Sequence, residues 1–145
     1  MAGETHVADG EDLYRAVLNE ERFFPGDGLG GRRVRSTAFN DTGRRPSVDR
    51  AILCPGGPTE TRNRFRPGSG VLSLSAGQIR QLVAMHGATN QVYSVDVESV
   101  PLPDNPAHAE INGRPPFDTD RIFDRIKQAL AWIASVIVAP DLIQE

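Results

Sequence analysis

Residues 101–113, which read PLPDNPAHAEING, constrain the fold of this chain more than any other segment. The prolines hold the first half extended, because each fixes its own φ and lacks an amide N–H. The second half alternates as a strand does, so that small apolar residues face one way while His108, Glu110 and Asn112 face the other. The segment predicts a rigid entry into a strand that presents a histidine, a carboxylate and an amide on one side.

The periodicity of the remaining chain predicts an α+β fold. It indicates a mostly antiparallel sheet of about five short strands with two or three helices packed on one face. The strands are predicted at residues 32–40, 47–54, 71–74, 91–100 and 107–112, with the first two paired as a hairpin. Residues 13–18 suit either a helix or a first strand. Ser75 with Gln78 forms a capping box for a short helix, and the stripe from Ile122 to Ile137 predicts a last helix capped by Asp118 or Asp120 and ended by Pro140.

The length of 145 residues predicts one domain. We expect it to span residues 10–140, between a disordered tail at 1–9 and a short tail at 141–145, with the glycine-rich run 25–31 as a connector and 55–70 as a long polar loop. The chain has no apolar run of about 18 residues and no basic-then-apolar leader, so we expect no membrane span and a cytoplasmic protein.

Charge is unevenly distributed along the chain. Residues 32–66 hold nine arginines against three acids, although the whole chain has a net charge of −3. Such a patch suits a phosphate, a nucleotide or an acidic partner, and it is equally what arginine-favouring codon usage would put on a surface. Nucleic-acid binding is disfavoured for a chain with a pI of about 5.6 and only two aromatic residues in the patch.

Zinc chemistry lacks its residues, and cysteine catalysis has one candidate pair. His108-Ala109-Glu110 has the His-x-Glu form of zinc deaminases, but that site also needs a downstream Pro-Cys-x-x-Cys, and Cys54 is the only cysteine. We therefore expect no metal. A lone cysteine on a strand is typical of a small buried apolar residue, although a Cys54–His108 pair would suit nucleophilic catalysis, because such partners can be distant in sequence.

The N-terminal third faintly resembles ADP-ribosyltransferases. Leu13-Tyr14-Arg15, the glycine-rich run and Ser36-Thr37-Ala38-Phe39 follow one another as they do at the start of that family. There, an arginine on an early strand and a Ser-Thr-Ser strand hold NAD, and a later glutamate acts on the ribose. The resemblance implies NAD as cofactor, with Arg15, Ser36 and Glu110 as NAD-handling residues and Glu98 as the other strand-borne glutamate. The middle motif departs from the family, because it reads Ser-Thr-Ala here.

A second resemblance spans residues 13–138. The motifs Arg35-Ser36-Thr37-Ala38-Phe39, Ser47-Val48-Asp49, Asn105-Pro106-Ala107-His108 through Gly113, and Ala129-Leu130-Ala131-Trp132 occur in that order. They resemble a family of small bacterial proteins of uncharacterised activity with the pattern S-S-A-A-F, S-V-D and N-P-A-H-x-x-I-x-G. The resemblance implies a place in a bacterial defence or toxin-type system.

These motifs lead to one predicted site and two functions. If they converge, a serine, an aspartate and a histidine would meet as in a catalytic triad, or would serve structure alone, with Asn105 closing a turn. The first function is a non-catalytic component that binds a protein partner or a small ligand. The second is a small NAD-dependent transferase. The candidate catalytic residues are Arg15, Ser36, Asp49 and His108, and the candidate ligand-binding residues are Arg35, Phe39, Ser47 and Asn105.

Overall fold

The computed structural model describes residues 6–18, 34–85 and 89–138. Within them, seven antiparallel strands form one sheet that curves as a half-barrel, in the order β4-β5-β6-β2-β1-β3-β7. The α+β class is confirmed, but the sheet has two more strands than the sequence predicts. The strands are β1 (Asp12–Val17), β2 (Ser47–Arg50), β3 (Gly70–Ser75), β4 (Val83–Met85), β5 (Val92–Ser99), β6 (His108–Arg114) and β7 (Ser135–Val138).

Three α-helices accompany the sheet in the described residues, namely α1 (Pro58–Phe65), α2 (Ala76–Arg80) and α3 (Asp120–Ile133). The side chain of Ser75 accepts a hydrogen bond from the Gln78 amide, so the predicted cap of α2 is confirmed. The cap of α3 is Thr119 rather than either predicted aspartate. Asp118 is engaged elsewhere, because its carboxylate accepts a hydrogen bond from the Tyr93 hydroxyl at 2.7 Å.

The main core lies on one face of the sheet. Leu13, Val48 and Ile111 from neighbouring strands pack there against the apolar stripe of α3. Val7 is buried in the same core, and Asp9 pairs with Arg80, so residues 6–9 belong to the domain rather than to the predicted tail. Residues 1–5, the run 25–31, Pro140 and the tail 141–145 lie outside the described residues.

The prediction that the helices pack on one face of the sheet is not met by α1. Directly opposed residues of antiparallel strands share a face, which puts Tyr14 of β1, Asp49 of β2 and His108 of β6 together on the side away from the main core. Helix α1 packs on this second side, where its Thr61 hydroxyl donates to Asp49 at 2.8 Å. The long loop predicted at 55–70 therefore contains a helix that forms one wall of a cleft.

Three further predictions of local structure are wrong. Ser36–Phe39 is a 3-10 helix rather than part of a strand, because Phe39 is fully buried against α3 and the turn closes on itself. The second strand ends at Arg50, and residues 51–53 form another 3-10 turn. The last helix ends at Ile133, where Ala134 turns extended and Ser135–Val138 pairs with β3. Val136, Ile137 and Val138 are β-branched, which favours a strand.

Candidate functional site

Five of the predicted site residues meet in one cleft. Ser47, Asp49, Asn105 and His108 line it together with Arg15, and its volume is 430 Å³. The floor is formed by β1, β2 and β6, and α1 supplies one wall. The segment 102–105, held by the reciprocal backbone hydrogen bonds of Leu102 and Asn105, supplies the other wall. The structure therefore brings the Ser47–Asp49 motif and the Asn105–His108 motif together, whereas the Ser36–Phe39 motif that was predicted to join them lies elsewhere.

His108 is fixed by both ring nitrogens. Nδ1 lies 2.8 Å from the carbonyl oxygen of Val100, and Nε2 lies 3.2 Å from the Ser47 hydroxyl. The backbone amide of His108 also donates to the carbonyl of Asn105 at 3.2 Å. The Pro-rich approach therefore sets the ring orientation, because Val100 and Asn105 flank that approach and both hold His108.

Asp49 bonds three side chains rather than the histidine. Its Oδ1 accepts from the Asn105 amide at 2.8 Å, while Oδ2 accepts from Thr61 at 2.8 Å and from Arg64 at 2.6 Å. The serine, histidine and aspartate do not form a hydrogen-bonded triad, since His108 Nδ1 is bonded to Val100 instead. Asp49 joins α1 to the Pro-rich segment. This is a structural role, which was the alternative to a place in a catalytic triad.

Asn105 closes the turn that its position before a proline predicts. Its Oδ1 accepts a hydrogen bond from the Ala107 amide, two residues on, at 3.2 Å. Its amide group is bonded to Asp49 at the same time, so both ends of the side chain are engaged. Asn105 therefore shapes the wall of the cleft, and its side chain has little hydrogen-bonding capacity left for a ligand.

Arg15 lies under the cleft and is engaged within the protein. Its guanidinium donates to the carbonyls of Ala38 and Ser47 and to both carboxylate oxygens of Asp41, and it lies over the Phe39 ring. The side chain is only 11 % exposed. The NAD-binding role predicted for Arg15 would require these bonds to break, so in this structure Arg15 supports the cleft from below.

The remaining predicted residues lie elsewhere. Phe39 is in the core, Arg35 is exposed at the start of the 3-10 helix, and Ser36 does not line the cleft. Their placement follows from the 3-10 turn, which directs residues 36–39 toward α3 instead of along a strand beside β2. The expected hairpin of 32–40 with 47–54 is replaced by the neighbours β1 and β6 on either side of β2.

Sequence reasoning missed the residues that α1 and β1 bring to the cleft. Tyr14, Arg64 and Phe65 line it, as does Leu102. Phe65 is 54 % exposed and Leu102 is 41 % exposed, so two large apolar side chains border the opening. Pro58 at the first helical position and the Glu60–Arg64 ion pair at i,i+4 were the available signals for α1.

The electrostatics of the cleft favour charged Arg64 and a protonated Cys54. Partial burial opposes the charge of Arg64, but the contributions of Asp49, Cys54 and Glu60 together outweigh it and raise the pKa of the guanidinium. Burial raises the pKa of the Cys54 thiol, whose sulfur lies 3.8 Å from the Thr61 hydroxyl. Cys54 is therefore placed as a buried neutral thiol that contacts Thr61, and the paired partner of His108 is Ser47.

Several arginines of the arginine-rich segment form ion pairs. Arg44 bonds Asp120, Arg50 bonds Glu11, and Arg64 bonds both Asp49 and Glu60. Except for the Arg64–Glu60 pair, which lies within α1, these pairs join separate parts of the chain, so these three arginines have structural roles. Among the described residues, no group of three histidine, cysteine or acidic side chains is placed to hold a metal ion.

A larger cavity of 810 Å³ lies near the N-terminal segment, beside α2, β5 and β6. Its charged side chains neutralise one another, since Asp96 bonds Arg80 and Arg114. The smaller cleft is the better candidate because it combines exposed apolar side chains with the Ser47–His108 pair.

No helix in the described residues is long and apolar enough to cross a membrane. Comparisons with protein-family models, curated proteins and solved structures found no match to this chain.

Proposed function

We propose that this protein is a binding component whose cleft between α1, the 102–105 segment and the β1-β2-β6 floor takes a small ligand. The observation that carries the proposal is the convergence of Ser47 and His108 with the exposed apolar side chains of Phe65 and Leu102 around one opening. Ligand sites combine apolar walls with a few placed polar groups, and their volumes are typically about 300–1,000 Å³. The cleft fits that description.

The side chains define the chemistry of the ligand. Tyr14 and Phe65 offer aromatic surface for a planar ring, while Ser47 and His108 offer hydrogen bonds at the floor. Arg64 adds a positive charge, although it is partly neutralised by Asp49 and Glu60. A ring with an attached polar or singly anionic group, as in a nucleoside or a small nucleotide, suits this combination.

The resemblance to the bacterial family extends the proposal to a protein partner within a defence or toxin-type system. Trp132, in the Ala-x-Trp ending of that resemblance, is 86 % exposed on α3. Tryptophan is enriched where proteins bind one another. This surface lies on α3, whereas the small-ligand cleft is walled by α1, so the two binding roles use different elements.

NAD-dependent transfer is the second candidate, and the register of the sheet favours it. Ser47 is directly opposite Glu110 on the β2–β6 ladder, and β1 with Arg15 is the next strand. This places a serine strand between an arginine strand and a glutamate strand, and these are the residue types that the ADP-ribosyltransferase resemblance implies, although Glu110 is not among the residues that line the cleft. Ser47 then takes the role that the resemblance gives to Ser36.

Thermal unfolding with NAD, ATP and cyclic nucleotides tests these proposals. A ligand at a hundredfold over its dissociation constant should stabilise the protein by about 2.7 kcal/mol. Phe65→Ala should remove that shift while leaving the unliganded midpoint almost unchanged, because Phe65 is exposed at the opening. Val83→Ala is the matched control, since Val83 is an exposed apolar residue of β4 outside the cleft. Absence of a shift with every nucleotide would contradict the nucleotide as ligand, and a shift with NAD alone would favour the transferase.

A further inference from the structure

We propose that Ser47 is a nucleophile activated by His108, and that the cleft acts on small carboxylic esters. The inference rests on the proposed function in one respect, because it uses the same cleft as the place where a small molecule binds. It adds a reaction and a substrate class that a binding role alone does not include.

The hydrogen bonds of His108 determine which ring nitrogen carries the proton. The carbonyl oxygen of Val100 can only accept a hydrogen bond, so Nδ1 must be the protonated nitrogen of the neutral ring. Nε2 is then the acceptor, and the Ser47 hydroxyl is its donor at 3.2 Å. A serine hydroxyl that donates to a histidine whose other nitrogen is held by a third group is the arrangement of an activated nucleophile.

The backbone of Ser47 is held at both its amide and its carbonyl. The Ser47 amide donates to Asp41 at 2.7 Å, and its carbonyl accepts from Arg15 at 2.7 Å. Arg15 and Asp41 are themselves bonded to each other. The partly buried ion pair thus holds the backbone of the nucleophile in place, which makes Arg15 a positioning residue rather than a catalytic one.

The proposed reaction balances without a cofactor. Ser47 Oγ attacks the ester carbonyl carbon, and its proton passes to His108 Nε2. The carbon–oxygen bond to the alcohol then breaks, and the alcohol leaves with that proton. Water next gives a proton to Nε2 and attacks the carbonyl carbon of the acyl-serine. The bond from that carbon to Ser47 Oγ then breaks, Nε2 returns its proton to Oγ, and the carboxylic acid leaves. Throughout, the Nδ1–H group of His108 keeps its hydrogen bond to the Val100 carbonyl.

Two features of the cleft bear on the rate and the substrate. A neutral carbonyl stabilises the imidazolium less than a carboxylate would, so we expect slow turnover compared with a serine–histidine–aspartate enzyme. Arg64 is the arginine on the α1 wall of the same cleft, and its guanidinium is paired with Asp49 and Glu60. The aromatic walls favour esters with a planar group, such as p-nitrophenyl esters.

A fluorophosphonate probe with mass spectrometry tests the inference on the full chain. Ser47 Oγ should displace fluoride from phosphorus, with the hydroxyl proton passing through His108, and the adduct should map to Ser47. Ser47→Ala should abolish labelling and p-nitrophenyl ester hydrolysis. Ser94→Ala is the matched control, because Ser94 is an exposed strand serine whose hydroxyl donates to a backbone carbonyl, that of Arg114; it should label normally.

His108→Ala separates catalysis from structure. It should slow labelling by about a hundredfold or more, and added imidazole should restore part of the rate, which a purely structural role for His108 would not allow. An adduct on another residue, no adduct at all, or unchanged labelling in His108→Ala would overturn the inference. If labelling fails while the Phe65-dependent thermal shift persists, the reaction is refuted and the binding function stands. If Ser47 labels but no ligand shifts the midpoint, the nucleotide-binding proposal is the one that fails.

Discussion

Asp49 is a buried carboxylate whose three hydrogen bonds join separate parts of the cleft. Asp49→Asn replaces one acceptor oxygen by an amide and removes the charge that pairs with Arg64. We expect a loss of about 1–3 kcal/mol in the free energy of unfolding, because a buried polar group loses its partner. Urea unfolding measures this loss. Glu60→Gln is the matched control, since Glu60 pairs with the same arginine at the surface and exposed pairs contribute about 0–1 kcal/mol. Equal losses in the two variants would refute the central role of Asp49.

Gly113 is required by close packing rather than by its backbone conformation. A Cβ at this position would lie 2.6 Å from Cδ1 of Phe117 and 2.7 Å from the carbonyl oxygen of Pro115. Gly113→Ala should therefore destabilise the protein by about 1–3 kcal/mol, as overpacking does. Gly10→Ala should change stability by less than about 0.5 kcal/mol, because nothing lies within 4 Å of the position that its Cβ would take. Denaturant unfolding of both variants checks the pair, and a neutral Gly113→Ala would contradict this packing.

Elements were predictable where one periodicity ran without interruption. β5 and β6 lie within a residue or two of their predicted ranges, because their alternation is clean and turns bound both. α1 was missed because its residues are almost all polar, so its helical character depends on Pro58 and the Glu60–Arg64 pair rather than on an apolar stripe. β7 falls within the predicted last helix because Ile133, Val136 and Ile137 continue the spacing of α3 by chance.

The junction of α2, β5 and β6 should weaken in acid. Burial raises the pKa of Asp96, but the hydrogen bonds from Arg80 and the Val97 amide, with the charges of Arg80 and Arg114, outweigh it and lower the pKa overall. A carboxylate with a lowered folded-state pKa stabilises the fold above the pKa of the unfolded chain, which is about 3.9. That stability is lost as the pH falls through the lower folded-state value.

Asp96→Asn should therefore cost stability at pH 6 and progressively less as the pH falls from about 5 toward 2. Urea unfolding at several pH values measures the difference from the wild type. Asp12→Asn serves as the control, because Asp12 is exposed and forms no ion pair among the described residues. A difference that stays constant with pH would contradict the assigned shift. Glu11 contributes in the same direction through Arg50, so the Asp96 variant retains some acid sensitivity of its own.

The whole molecule brings together residues that the sequence could only place on separate strands. The alternation of side chains along a strand predicts which face His108 and Asp49 occupy on their own strands, and both were predicted for one site. The strand order is not readable, because nothing local says that β2 lies between β1 and β6. That order places Ser47 beside His108, makes Arg15 a support beneath Ser47, and leaves Ser36 near α3.

Trp132 is a reporter for the α3 surface of the molecule, which lies apart from the cleft. It is the only tryptophan, and it is 86 % exposed. At low protein concentration its fluorescence should be as red-shifted and as accessible to acrylamide as in the urea-unfolded chain, because water surrounds the indole in both states. Trp132→Ala should change the free energy of unfolding by less than about 0.5 kcal/mol, as surface substitutions usually do.

Trp132 fluorescence distinguishes a small ligand in the cleft from a protein partner on α3. A small ligand in the cleft should leave Trp132 fluorescence unchanged, since the cleft is lined by other elements. A protein partner that covers α3 should shift the emission to the blue and protect it from acrylamide, and Trp132→Ala should weaken that partner without altering the nucleotide-induced thermal shift. Blue-shifted emission from the isolated chain at every concentration would show that Trp132 is covered by the protein's own residues, and would remove it as an interaction surface.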